Sequence, residues 1–219
     1  MQLKHPQVRR RRLPREQRHR LILEEAVRFF AEVGFEGQTR VLAERLGVTQ
    51  PLLYRYFPDK DSLIDSVFDE VFLKRWKPEW EVMLRDRSRT LLDRLSEFNK
   101  AYWRELSSPE PVRIFMFAGL KGEKISQAYL ELMRDKVLEP ICAELRHEIG
   151  LPPPEELPID EMEIHMAWAL QGAIFHIAMR KWIYKVAVPE DIDRLVEYTV
   201  RAYLHGSAAT LKDMLAARV

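Results

Sequence analysis

Cysteine is nearly absent: Cys142 is the single one among 219 residues. No intrachain disulfide can form and no zinc site of several thiolates can be built, so Cys142 is read as a structural thiol. Glycine is scarce too, at 8 residues. Leu, Ala, Glu, Arg and Lys abound instead, and runs alternating with a strand-like period of two are hard to find, which favours an all-α fold. Long apolar runs are also missing, since no uncharged stretch reaches the roughly 18 residues that a membrane helix needs. The short run Leu21 to Leu23 leads straight into Glu24 and Glu25, charges that the apolar part of a secretory signal does not tolerate. The expectation is a cytoplasmic protein with no membrane partner. Catalytic patterns are lacking as well: no nucleophile elbow, phosphate loop, dinucleotide glycine pattern or HEXXH occurs. Glu161 and His165 stand one helical turn apart with Glu163 and His176 nearby, yet no second ligand pair at metal spacing accompanies them. The chain is therefore expected to be no enzyme, to bind no metal and to need no cofactor.

What is present is a hydrophobic content of 47%, enough for a substantial core in one or two domains. The net charge of +1 conceals an asymmetry: residues 1–60 carry 13 Lys+Arg against 7 Asp+Glu, leaving 22 against 27 for the remainder. A basic N-terminal region on an otherwise acidic chain is the footprint of a protein that meets phosphate at one end. Residues 1–13, with Arg9 to Arg12 in a row, lack apolar periodicity and are expected to form a disordered basic arm. Such an arm serves either as a solvated tail or as a strand lying along a DNA backbone or in a narrow minor groove.

Helical spacing then begins. Ile22, Ala26, Phe29, Phe30 and Val33 predict an amphipathic helix from about Pro14 to Val33, closed by Gly34. A second helix over roughly Arg40 to Leu46 offers Leu42, Ala43 and Leu46. The stretch Gly47 to Leu63, GVTQPLLYRYFPDKDSL, holds the densest local information. Gly47 suits the left-handed residue that ends a helix, and Thr49 suits the cap of the next. Val48 and Leu53 form a hydrophobic staple around that cap. Pro58 stops the short helix, and Asp59 caps a further one with Asp61 in its first turn. Three helices around one small core with this turn between the second and third make a DNA-reading module.

The pattern Ala43-x3-Gly47-Val48-Thr49-x3-Leu53-Tyr54-x-Tyr56-Phe57-x2-Lys60-x2-Leu63 resembles the TetR family of transcriptional repressors. The resemblance spans roughly residues 18 to 65. It implies an N-terminal three-helix DNA-binding domain with a helix-turn-helix, here 14–60, and a C-terminal helical domain for effector binding and dimerisation, here 61–219. It also implies a homodimer, a palindromic double-stranded DNA operator, and release by an unidentified small-molecule effector. Tyr54, Tyr56 and Lys60 take phosphate-contacting positions by the same resemblance. From their chemistry, Gln50 can read an adenine edge through two hydrogen bonds, while Pro51 and Leu52 offer apolar contact to a thymine methyl. One departure stands out: the segment Gly37-Gln38-Thr39 is one residue shorter than the family pattern. Whether Gln38, Thr39 or Arg40 caps the second helix and meets phosphate is left open. The shortening is also the one support for an alternative reading, a small-molecule-binding protein with a degenerate DNA-binding head.

Beyond Asp59 a fourth helix is predicted toward Trp76, then helices over roughly Leu91 to Leu106, Val112 to Leu120 and Ser126 to Ile149, punctuated by Pro109, Pro111, Gly122 and Gly150. Phe98, Tyr102, Trp103, Phe115, Met116, Tyr129 and Met133, joined later by Trp168, Phe175 and His176, are large groups suited to wall a cavity for a largely apolar ligand. At helical spacing each such residue is more often ordinary core. The segment Asp160 to Tyr184 has almost no polar face and calls for burial on several sides. Pro189 is expected to open the last helix. In these two helices Ile164, Trp168, Gly172, Phe175 and Met179, with Leu195, Thr199, Tyr203 and Gly206, are the expected dimer contacts in a four-helix bundle.

Overall fold

A computed structural model describes residues 14–121 and 124–216. The expectations for the Arg9 to Arg12 arm and for Gly122 lie outside them. Among the described residues all regular structure is helical: α1 (Arg15–Val33), α2 (Thr39–Arg45), α3 (Gln50–Tyr54), α4 (Lys60–Phe68), α5 (Glu79–Arg85), α6 (Leu91–Leu106), α7 (Pro109–Lys121), α8 (Lys124–Met133), α9 (Glu139–Glu148), α10 (Glu161–Trp182) and α11 (Ile192–Ala216). No helix among them is long and apolar enough to cross a membrane.

The first three helices close around a small core in which Ile22, Ala26, Phe30, Leu42 and Leu53 are fully or almost fully buried. Gly47 ends α2 with φ of 63°, as its sequence position requires. The shortened turn before α2 is resolved by Gly37. A Cβ built there would sit 2.6 Å from both Phe29 Cε1 and Val33 Cγ2. The backbone therefore lies directly on α1, and the missing residue is absorbed by close approach. Gly37→Ala forces the buried Phe29 ring to move, and a loss of about 1–3 kcal/mol is expected, read as a lowered denaturation midpoint.

Asp59 caps α4 as anticipated, its carboxylate accepting from Ser62 N–H at 2.7 Å. That bond holds the Asp59 carboxyl below its ordinary pKa. A lowered folded pKa stabilises α4 above the unfolded carboxylate value, and the contribution fades as pH falls through the folded value. The helix does not run smoothly to Trp76: a π turn, Asp69–Leu73, extends it. The widened turn carries the buried Val71 and Phe72.

Two further expectations are corrected. α7 begins at Pro109 rather than at Val112, with Pro109 and Pro111 inside its first turn, where the missing N–H groups have no intrahelical acceptor in any case. The single helix expected from Ser126 to Ile149 is broken into α8 and α9 by a π turn, Arg134–Leu138. Pro140 in the first turn of α9 cannot donate back to the preceding turn, and the wide turn ahead of it takes up that break in the ladder.

α10 opens on a capping box: Asp160 accepts from Met162 N–H at 2.8 Å, while Glu163 accepts from Asp160 N–H at 2.9 Å. Glu163 also receives the fully buried Arg146 of α9, with Nε to Oε2 at 2.7 Å. The same guanidinium donates to the carbonyls of Pro152 and Pro158, each at 3.2 Å, and to that of Leu157. One cation thus ties the proline-rich loop to both helices around it. A second buried pair joins Arg94 to Glu144 at 2.8 Å, and the exposed Arg87 reaches the same carboxylate at 2.9 Å. Pro189 is not the first residue of α11. The helix starts three residues later, and Asp191 accepts from Arg194 N–H at 2.9 Å.

The inward face of α10 differs from expectation. Ile164 is 2% exposed within one protomer, Trp168 and Phe175 are half-buried against an internal cleft, and Met179 is half-buried. These residues, expected at a dimer contact, belong mostly to the protomer's own core or cavity. The exposed residues of α10 include Met162, His165, Ala169, Ala173 and His176, together with Gly172, one of the expected dimer contacts.

Candidate nucleic-acid interface

α3 follows its cap without the expected side-chain bond. Thr49 has extended cap geometry (φ −83°, ψ 148°) but its hydroxyl makes no cap bond. Pro51 supplies no N–H at the second position, and Leu52 N–H goes to the Thr49 carbonyl at 3.0 Å. The Thr49 side chain stays exposed at the start of α3.

The start of the second helix answers one part of the question left open there, the cap. Gln38 occupies the cap position without a side-chain bond. Thr39, 5% exposed, points toward α3. Its Oγ1 accepts from Gln50 Nε2 at 2.9 Å and shares a hydrogen bond of 2.8 Å with the Tyr54 hydroxyl. The nitrogen side of the Gln50 amide is thereby turned toward Thr39, leaving its oxygen and one N–H uncommitted. Arg40 is exposed and pairs with Glu44 at 3.5 Å, a surface pair of little energetic weight. Pro51 is exposed, and Leu52, Tyr56 and Lys60 are half-buried. Leu53 and Phe57 are core residues, as their spacing implies. His19 was missed by sequence reading: it stacks on Phe57 at 4.6 Å and lies 6.5 Å from Tyr56. Nothing in its own helix signals that contact, which depends on how α1 crosses the turn.

Behind the head an apolar cleft of about 110 Å³ opens in the body. Tyr102, Phe115, Tyr129, Met133, Trp168 and Phe175 line it. Phe98, Trp103, Met116 and His176 do not. Phe98 is fully buried and packs edge-on against Trp80 at 6.0 Å, Trp103 and Met116 are half-buried away from the cleft, and His176 is exposed on the outer face of α10. Phe72, Leu106, Pro111, Leu130 and Gln171 are lining residues that sequence reading missed. The Tyr102 and Tyr129 hydroxyls bond each other inside the cleft. Burial pushes the Tyr102 hydroxyl up to about 12 and Tyr129 well above its ordinary value, so both remain protonated.

Two elements connect this cleft to the head. α4 runs from the Asp59 cap beside Phe57 into the π turn that holds Phe72 against Tyr129, ring centres 4.9 Å apart. α7 places Pro111 and Phe115 on the cleft, while its Arg113 donates to the Ala31 and Glu32 carbonyls at the end of α1. Those carbonyls lie in the last turn of α1, where helix acceptors lack intrahelical donors. Elsewhere the body carries an open groove between α10 and α11, lined by Ala169, Leu170, Ala173, Tyr198, Thr199, Ala202 and Tyr203. Of the expected dimer contacts, Thr199 and Tyr203 lie on this groove and Gly206 is exposed, Leu195 is half-buried, and Gly172 lies on the cleft. Cys142 is buried, and burial above all pushes its thiol up to about 12. Among the described residues no group of three or more His, Cys, Asp or Glu could hold a metal ion; the Glu161 carboxylate is bonded by Arg134 at 3.0 Å.

The family described as bacterial regulatory proteins, tetR family, matches residues 22–67. The tetracycline repressor protein class C of Escherichia coli is 47% identical over 47 residues, 21% of this chain and 22% of that repressor. Over nearly the whole chain the fold is shared with solved structures. A TetR-like transcriptional regulator from Rhodococcus sp. RHA1 has a TM-score of 0.63 at 20% identity, covering 89% of this chain and 100% of that one. A tetR-family transcriptional regulator from Streptomyces coelicolor has a TM-score of 0.61 at 15% identity, covering 94% and 87%. The sequence match to the tetR family falls on residues 22–67, the helices that present Gln50, and beyond them the body shares the fold of solved TetR-like regulators.

Proposed function

We propose that this chain is a homodimeric transcriptional repressor that binds a palindromic DNA operator and is released by a small, largely apolar effector. The observation that carries the reading is α3 itself. It presents an exposed Thr49 and Pro51 and a Gln50 amide held by Thr39, with uncommitted hydrogen-bonding groups of the kind that read base edges. Residues 14–60 then serve as the reading domain and 61–219 as the effector and dimer domain. Arg40, Thr49, Tyr54, Tyr56 and Lys60 position the head on phosphate, Thr39 acts through its hold on Gln50 and Tyr54, and Gln50, Pro51 and Leu52 face the bases. The protein acts in the cytoplasm and performs no catalysis.

Dimerisation uses the outer faces of α10 and α11. Ala169, Ala173 and Ala202 permit close helix approach, and Met162 and Tyr198, 58% and 51% exposed, would be covered. The effector acts from the cleft. A ligand between Phe72 and Phe115 touches both elements that lead to the head, α4 with its π turn and α7 with its Arg113 grip on α1. It shifts the spacing of the two heads by its differential affinity for the two body shapes.

Substitution separates the roles at the head. Gln50→Ala is expected to cost about 1–3 kcal/mol on the operator and to relax base preference. Lys60→Ala is expected to weaken all duplexes alike and to reduce the salt slope by about one unit. Binding titrations on operator and random duplexes across salt check this. Equal losses on both duplexes for both variants would contradict it.

A further inference from the structure

The cleft proposed as the effector site carries chemical information beyond its apolar character. No Lys, Arg, His, Asp or Glu is among the described residues that line it. An ionised ligand group would lose its hydration there with no opposite charge to meet it. The walls are largely aromatic: Phe115 meets Phe175 edge-on at 5.4 Å and Tyr129 at 5.9 Å. Such walls suit ring systems or bulky hydrocarbon.

The polar features are few and their proton count is fixed. Tyr102 and Tyr129 together own two hydroxyl protons, and the bond between them uses one. Neither hydroxyl has another hydrogen-bond partner among the described residues, so one proton lacks an acceptor within the cleft. Burial keeps both groups in the protonated, donating form. Gln171, also on the lining, is already turned by its bond to Asn99 at 3.1 Å, so its Nε2 is partly spent. Building on the reading of the cleft as the effector site, we infer that it takes an uncharged, largely apolar molecule that presents a carbonyl or ether oxygen to the Tyr102–Tyr129 hydroxyl pair.

Matched probes test this with purified full-length protein. Phenylnaphthylamine, a neutral dye that fluoresces in apolar surroundings, reports occupancy; anilinonaphthalenesulfonate is its anionic counterpart. Benzophenone and diphenylmethane then compete with the neutral dye, differing in a single carbonyl oxygen. The neutral dye is expected to bind saturably and the sulfonate about 100-fold more weakly, the order set by unpaired charge burial. Benzophenone is expected to displace the dye at about 10-fold lower concentration than diphenylmethane, the value of one buried hydrogen bond. Tyr102→Phe or Tyr129→Phe alone should keep that preference, because the remaining hydroxyl then donates directly to the ligand. The double variant should lose it, while still binding the neutral dye. Equal displacement by the ketone and the hydrocarbon, equal binding of the two dyes, or a ketone preference surviving in the double variant would overturn the proposal and leave the effector cleft standing. No uptake of the neutral dye would overturn both.

Discussion

Glu163→Ala is expected to destabilise the protein by about 3–5 kcal/mol, the range for breaking a buried ion pair from one side. Arg146 and Glu163 have side chains that are 0% and 1% exposed. Removing the carboxylate leaves a guanidinium with no counter-charge among the groups it touches, and it also removes half of the capping box at the start of α10. Against a total stability of about 5–15 kcal/mol for a domain, that is a large share. The melting temperature should fall by about 6–20 °C for a chain of this size. The double variant Arg146→Met/Glu163→Leu should recover part of the loss, since neither charge then needs a partner. Full recovery is not expected, because the carbonyls of Pro152, Leu157 and Pro158 lose their donor. A Glu163→Ala variant melting within a degree or two of the parent would show that the cluster is not the clamp described.

Ala173→Glu should leave the protomer folded and abolish the dimer. Ala173 is exposed on the groove between α10 and α11, so the protomer accommodates the larger side chain without a core clash. In the proposed two-fold interface each protomer would bury a carboxylate near its symmetry mate, and both desolvation and like-charge repulsion oppose assembly. Losing the dimer also ends simultaneous engagement of two half-sites, so operator affinity should drop by about 10²–10⁴-fold. Sedimentation analysis and operator titration read the two effects separately. A variant that stays dimeric with operator affinity unchanged would remove this face from the interface.

What could be read from the chain divides by the range of the interactions. The cap at Asp59, the left-handed Gly47 and the burial of Leu53 and Phe57 depend on neighbours within a few residues, and their sequence signals are correspondingly sharp. The shortened turn before α2 was visible as an irregularity, but its resolution by Gly37 lying on Phe29 and Val33 requires the packing of two helices. The same holds for Thr39, whose choice of Gln50 and Tyr54 as partners needs α2 and α3 side by side. α10 marks the clearest limit. A helix apolar on nearly every face contains no periodic signal to fix its rotation, so the sequence does not show that Ile164 is buried within the protomer while Ala169 and Ala173 are exposed. The cavity residues failed in a related way. Phe98 and Met116 have the same composition as true lining residues, while Phe72 reaches the cleft because of a π turn that leaves no distinctive pattern in DEVFL.

The most direct test of a base-reading regulator is selection of bound sequences from random duplexes by the purified protein at about 0.15 M salt, where exposed charge contacts are already screened. The prediction is an enriched palindrome whose half-sites are spaced by the DNA helical repeat, with A·T pairs where Gln50, Pro51 and Leu52 fall. Recovery of no enriched sequence would contradict the reading of α3 as a base-reading helix and leave the body's cleft as the functional part of the molecule.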